Sequence, residues 1–157
     1  MELPAATRRV RLALEAAGLA CRIVRYPAGT RTAADAARAI GCEQAQIVKS
    51  MIFRGEHSGD GLLVLTGGTN RVDPARLEAV LGERPGKADA AFVREWTGFA
   101  IGGVPPLGHA RPMRTLIDVD LLDWPEVWAA AGTPDTVFAL PSQALPGLTG
   151  GTVLRVG

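Results

Sequence analysis

The chain has 157 residues, 47% of them hydrophobic, which is enough to enclose a sizeable core in one domain without disulfides or a structural metal. Its 17 basic residues stand against 16 acidic ones, a near balance that excludes the broad positive field of a non-specific DNA binder, so any nucleic-acid contact must be local. Cys21 and Cys42 have neither metal-ligand spacing nor the number for a disulfide framework, which points to a reducing cytoplasm, and no apolar run approaches the length of a membrane span.

Val10, Leu14 and Ala17 fall on one helical face with Arg8, Arg11 and Glu15 outside it, so a helix is expected over Ala5 to Ala17, stopped by Gly18. Cys21 to Tyr26 alternates apolar and basic residues as a strand does, and Pro27-Ala28-Gly29 ends it. Thr32 can cap a second helix, Ala33 to Ile40, closed by Gly41. The apolar runs Ile47 to Phe53 and Leu62 to Leu65, joined by a polar turn, predict a hairpin. Asp73 followed by Pro74 opens a helix whose apolar face is Leu77, Val80 and Leu81, with Gly82 as its stop.

A short helix from Ala90 to Trp96, capped by Asp89, comes next. Thr97 to Pro112 carries four glycines and three prolines and cannot be regular structure throughout. Thr115 to Val119, Val127 to Ala130 and Val137 to Leu140 read as strands, Pro141 to Leu145 as a short helix, and Thr152 to Val156 as a terminal strand. Helices and strands mingle without regular βαβ alternation. The expected class is therefore α+β, with a mixed, mostly antiparallel sheet flanked by helices.

Several catalytic patterns are absent: Gly-x-Ser-x-Gly, His-Glu-x-x-His and Cys-x-x-Cys. Gly82 to Lys87 has three residues between its glycines where a P-loop has four, and Ala88 stands where magnesium needs a hydroxyl. With two histidines only, His57 in a polar turn and His109 closing the glycine-proline stretch, no metal or other cofactor is expected.

Lys49 least fits its surroundings, since it interrupts an apolar strand and a lysine is almost never fully buried without a partner. It lies either on the solvated face of an edge strand or in a cleft, where its ammonium could meet a phosphate or an oxyanion. In Gly102-Gly103-Val104-Pro105-Pro106 the glycines permit close backbone approach to a ligand, and the prolines fix the turn; a purely structural turn is the other reading.

Taken together, Thr32 to Ala37, Gln46 to Ser50, Gly67 to Asp73, Thr97 to Gly108, Ile117-Asp118 and Ala131-Gly132 resemble the YbaK and prolyl-tRNA-synthetase-associated editing domains, over about residues 20 to 140. The resemblance implies a barrel-like α+β fold and a freestanding enzyme that hydrolyses the ester between a mischarged amino acid and the 3′ end of tRNA. It implies catalytic roles for Lys49, Gly102 and Gly103. It also implies a substrate-binding set of Tyr26, Thr30, Ser50, Val104, Pro105, Pro106, Gly108, His109 and Gly132.

The family's cysteinyl-specific members share a Ser-Gly-Gly-Lys-Arg-Gly stretch that is missing here, where Ala130 to Asp135 stands instead. This version resembles a branch acting on small amino acids such as alanine, serine or threonine. Expected partners are the 3′ end of aminoacyl-tRNA, with no DNA and no membrane, in a monomer or homodimer. Two rival readings are a non-catalytic tRNA-binding module, with Lys49, Arg71 and Arg111 on one face, and a hydrolase of another small aminoacyl ester.

Overall fold

Thr32 fixes the start of one helix by a reciprocal pair: its hydroxyl accepts from the Asp35 amide (3.0 Å) while the Asp35 carboxylate accepts from the Thr32 amide (3.2 Å). This helix is α2 (Ala33–Ile40), ended by Gly41 at φ 85°. In the computed structural model, which describes residues 3–27, 30 and 32–157, it follows α1 (Ala5–Ala16) and β1 (Ile23–Arg25). The Ala28-Gly29 part of the expected turn lies outside the described residues.

The hairpin forms as β2 (Val48–Gly55) and β3 (Gly61–Gly67), antiparallel, with Lys49 opposite Thr66 and Ser50 opposite Leu65. Next come α3 (Pro74–Leu81), capped by Asp73, then β4 (Pro85–Lys87) and α4 (Ala90–Thr97), capped by Asp89. The remaining elements are β5 (Arg114–Asp118), β6 (Glu126–Ala130), β7 (Thr136–Pro141), α5 (Leu145–Thr149) and β8 (Thr152–Leu154).

The strands form two open sheets, β4-β2-β3-β5-β8 and β1-β7-β6, rather than one. Pairing is antiparallel except for β3 with β5 and β5 with β8, so the mixed, mostly antiparallel expectation holds among the described residues. A bridge between Ile47 and Trp128 links the sheets. They enclose a common core in which Leu63, Leu65 and Ile117 of one meet Val127, Phe138 and Leu140 of the other, with Val10 and Leu14 of α1 against them. The fold is barrel-like in that sense. Leu62 and Val64 face the other way, onto Leu77, Leu116 and Val156. β3 is thus buried on both faces, which explains its unbroken apolar run; truncating Leu63 or Leu65 to alanine costs about 2–5 kcal/mol.

Several elements depart from expectation, among them β1 and β8, which are shorter than their apolar patterns suggest. Val80 is 37% exposed, and only Leu77 of α3 is fully inside. The Gly86-Lys87 pair, unassigned by pattern, forms an edge strand because Phe53 to Gly55 supplies a template. Pro141 ends β7 opposite Glu126; a 3₁₀ turn over 142–144 follows, and the last helix starts at Leu145, where Pro146 suits a first turn. Strand β5 stops at Asp118, whose side chain caps the 3₁₀ turn beginning at Val119.

Candidate active site

A cavity of about 220 Å³ opens between α2, the first residues of β2, the facing strands β6 and β7, and the loop around Gly102. Among the sequence-predicted residues, Lys49, Gly102, Tyr26, Thr30, Ser50 and Val104 line it. Gly103, Pro105, Pro106, Gly108, His109 and Gly132 do not.

Lys49 lines the cavity from the start of β2, beyond the stretch paired with β4 and next to the Ile47–Trp128 bridge to β6. Its Nζ donates to the Asn70 carbonyl at 2.6 Å. Partial burial, and next the nearby Arg71, hold its pKa below the ordinary lysine value, with Asp118 acting in the opposite direction. Arg71 itself is exposed.

The turn that presents Asn70 has its own supports. A Cβ on Gly68 would collide with the Gln44 carbonyl oxygen, so only glycine lets this segment lie so close to the 3₁₀ turn before β2. Asp118 is 1% exposed, and its Oδ2 accepts from the Gly67 amide (2.9 Å) and from Asn70 Nδ2 (2.8 Å). Its Oδ1 takes the Asp120 amide at 3.1 Å, while Asp120 Oδ2 also accepts from Asn70 Nδ2. The neighbouring Ser50 Oγ is buried and has no hydrogen-bond partner among the described residues.

On the opposite wall Gly102 is exposed, with φ 87°, a conformation that favours glycine; a Cβ there would meet Pro134 at an ordinary 3.6 Å. Gly103 is different. Its amide donates to the Ala100 carbonyl (3.0 Å), and its carbonyl accepts from the Gly132 amide (3.0 Å). A Cβ on it would lie 2.7 Å from Thr133 Cα and 2.8 Å from the Gly132 carbonyl oxygen. Both its polar groups are engaged within the protein, so its place is to seat the loop on the 132–133 turn.

Val104 to Leu107 are buried, which pins the loop to the core. His109 Nε2 lies 2.7 Å from the Pro105 carbonyl, and because a carbonyl only accepts, Nε2 carries a proton. Burial holds the His109 pKa below its ordinary value, partly offset by this bond. Gly108 packs on Ala13 of α1, and Gly132, at φ 102°, packs against the Ala6 carbonyl. These residues brace the wall from behind.

Sequence reading overlooked Trp128, Pro134, Thr136 and Val137 as cavity walls. Nothing in their local pattern separates them from core, since it is the apposition of β6 and β7 with β2 that brings them there. Asp118 carried a readable signal, a carboxylate ending an apolar strand, by the same logic that singled out Lys49. Arg111 does not share a face with Lys49 in any interaction: it stacks over Trp96 (4.4 Å) and pairs with Glu95 (3.7 Å).

The arrangement places the Lys49 ammonium, the Ser50 hydroxyl and the exposed Gly102 around a small hollow of mixed polar and apolar lining. It can hold a small polar-headed group and direct N–H donors at a developing negative charge.

Residues 27–148 match the model of a family described as the aminoacyl-tRNA editing domain. The uncharacterized protein YwhH of Bacillus subtilis (strain 168) is 30% identical over 124 residues, 78% of each chain. Among solved structures, one whose protein is proposed as a trans-editing enzyme for prolyl tRNA synthetase is 46% identical, with a TM-score of 0.93 over 99% of this chain and 98% of that one. The hypothetical protein APE2540 is 28% identical, with a TM-score of 0.86 over 94% of this chain and 98% of that one.

Proposed function

The chain belongs to the aminoacyl-tRNA editing domain family and is an aminoacyl-tRNA deacylase, and from that premise we propose that it clears a small mischarged amino acid from the 3′ end of tRNA, in trans, at the Lys49–Gly102 cavity. The observation that carries this reading is the Lys49 ammonium, tied to the Asn70 carbonyl on one wall while Gly102 faces the hollow from the other.

An aminoacyl ester is an activated acyl group, so positioning and oxyanion stabilisation suffice for its hydrolysis. Water adds to the ester carbonyl carbon, the bond from that carbon to the ribose oxygen breaks, and the proton lost by water ends on the ribose hydroxyl. Lys49 retains N–H donors beyond the one given to Asn70, and these meet the terminal phosphate or the developing oxyanion. The ordinary lysine pKa lies far above neutrality, so a general-base role would need a very large depression, and the donor role is favoured.

Gly102 lets the backbone approach the aminoacyl group without a side chain between them, and Ser50, Tyr26 and Thr30 add polar contacts along the wall. The hollow, about 220 Å³, has room for an aminoacyl group. Among the described residues no helix is long and apolar enough to cross a membrane, in keeping with action on tRNA in the cytoplasm.

A panel of mischarged tRNAs tests the reading. Release of alanine, serine or threonine from at least one of them, above the uncatalysed rate, is expected. Hydrolysis of small free aminoacyl esters with none of any tRNA would assign the cavity to another ester, and binding of tRNA without any hydrolysis would contradict the enzymatic reading.

A further inference from the structure

Lys49 is a long, flexible side chain, and left to itself its ammonium would sample many positions at the mouth of the cavity. One strong hydrogen bond restrains it, the 2.6 Å contact to the Asn70 carbonyl. That acceptor is a main-chain atom in a turn, so it is only as fixed as the turn. The turn is held chiefly by a carboxylate from another strand: Asp118 Oδ2 receives both the Gly67 amide, at the end of β3, and the Asn70 side-chain amide, while Asp118 Oδ1 receives the Asp120 amide. Asn70 closes the turn from within, its own amide donating to the Gly67 carbonyl at 2.9 Å.

A 1% exposed carboxylate with no arginine or lysine ion pair among the described residues is expensive to bury, and here its charge is met by N–H donors that converge on one segment. A neutral turn could be pinned far more cheaply by apolar packing. What the carboxylate adds is a negative charge one residue removed from the ammonium, acting on Lys49 against the effects of burial and of Arg71.

Resting on the deacylase reading above, we propose that Asp118 and Asn70 are positioning residues of the reaction: Asp118 locks the Gly67–Arg71 turn through the Asn70 side chain, and the Asn70 carbonyl thereby holds the Lys49 ammonium at the cavity mouth. Neither residue touches the substrate. The charged groups around Lys49 that bear on its protonation are Arg71, on the same turn, and Asp118, with Asp120 reaching the Asn70 amide from the 3₁₀ turn after β5.

The test measures single-turnover deacylation of the best mischarged tRNA across pH, with uncatalysed hydrolysis subtracted, for wild type, Lys49→Ala, Asn70→Ala and Asp118→Asn. Asn70→Ala keeps the carbonyl but frees the turn; its kcat is expected to fall about ten- to a hundredfold with KM changed less than about twofold, as a misplaced catalytic group gives. Asp118→Asn removes the charge that opposes burial and Arg71, so its alkaline limb is expected to move to lower pH.

A merely structural loss would lower the rate by the same factor at every pH, and that result overturns the proposal, as does a wild-type kcat in folded Asn70→Ala. Should Asp118→Asn fail to fold, Asn70→Ala decides alone by its kcat and KM. Full activity in Lys49→Ala, by contrast, would remove the premise about the site and is seen separately.

Discussion

The two walls of the cavity are built on different physics. On the Lys49 wall a flexible cation is placed by a charge-assisted hydrogen bond, with Asn70 and Asp118 behind it. On the Gly102 wall nothing is charged: the loop is shaped by glycine conformations, by close backbone contact at Gly103, and by buried Val104 to Leu107. The first wall is soft and its chemistry depends on protonation. The second is stiff and indifferent to protonation, save at His109.

This difference can be broken apart by substitution. The largest expected effect is on rate at the soft wall: Lys49→Ala should lower deacylation by about a hundredfold or more, in line with the loss of one oxyanion donor, with little change in thermal stability because the side chain is only partly buried. A rate assay beside a melting curve checks both. At the stiff wall the order reverses. Gly103→Ala should destabilise the fold by about 1–3 kcal/mol, because its Cβ would press on the backbone of Gly132 and Thr133. Its rate per folded molecule should change far less than that of Lys49→Ala, and denaturant titration measures the stability term.

Gly102→Ala should cost less, about 1–2 kcal/mol, since Pro134 leaves room for a Cβ and the strain is that of the left-handed conformation alone.

The smallest effect is the pH response of the loop. Burial places the folded pKa of His109 below its ordinary 6.5, so between those values the unfolded chain binds more protons than the folded one. The contribution of neutral His109 to stability is complete above about pH 6.5 and is lost as pH falls through the lower folded value. Comparing wild type with His109→Gln by denaturation at neutral and mildly acidic pH should show that the wild type loses more stability on acidification. Equal loss would remove His109 from the loop's supports.

Much of the fold is legible in the chain because its signals are local. Thr32, Asp73 and Asp89 mark helix starts, Gly41 and Gly82 mark helix ends, and the apolar runs of β2 and β3 give the hairpin. The second sheet and the β4 edge are not local. Pro85-Gly86-Lys87 has no strand character of its own and takes its conformation from β2.

The same distinction runs through the site. Lys49 and Gly102 stand out by type, a cation in an apolar strand and a glycine pair in a proline-rich loop. Trp128 and Val137 look like core in the chain and become cavity wall only when the sheets meet. Gly103 and Gly102 look alike in sequence, yet their Cβ directions differ, so one faces the hollow and the other the 132–133 backbone.

The most direct measurement fills the cavity without touching either wall's machinery. Ala130 lines it from the end of β6 and is partly exposed to it, so Ala130→Leu adds apolar volume into the hollow with β6 still paired to β7. The account predicts that this variant melts at or near the wild-type temperature and deacylates the preferred mischarged tRNA at least about tenfold more slowly, since a misplaced ester loses its alignment. An unchanged rate in the folded variant would mean that the aminoacyl group is not held in this cavity.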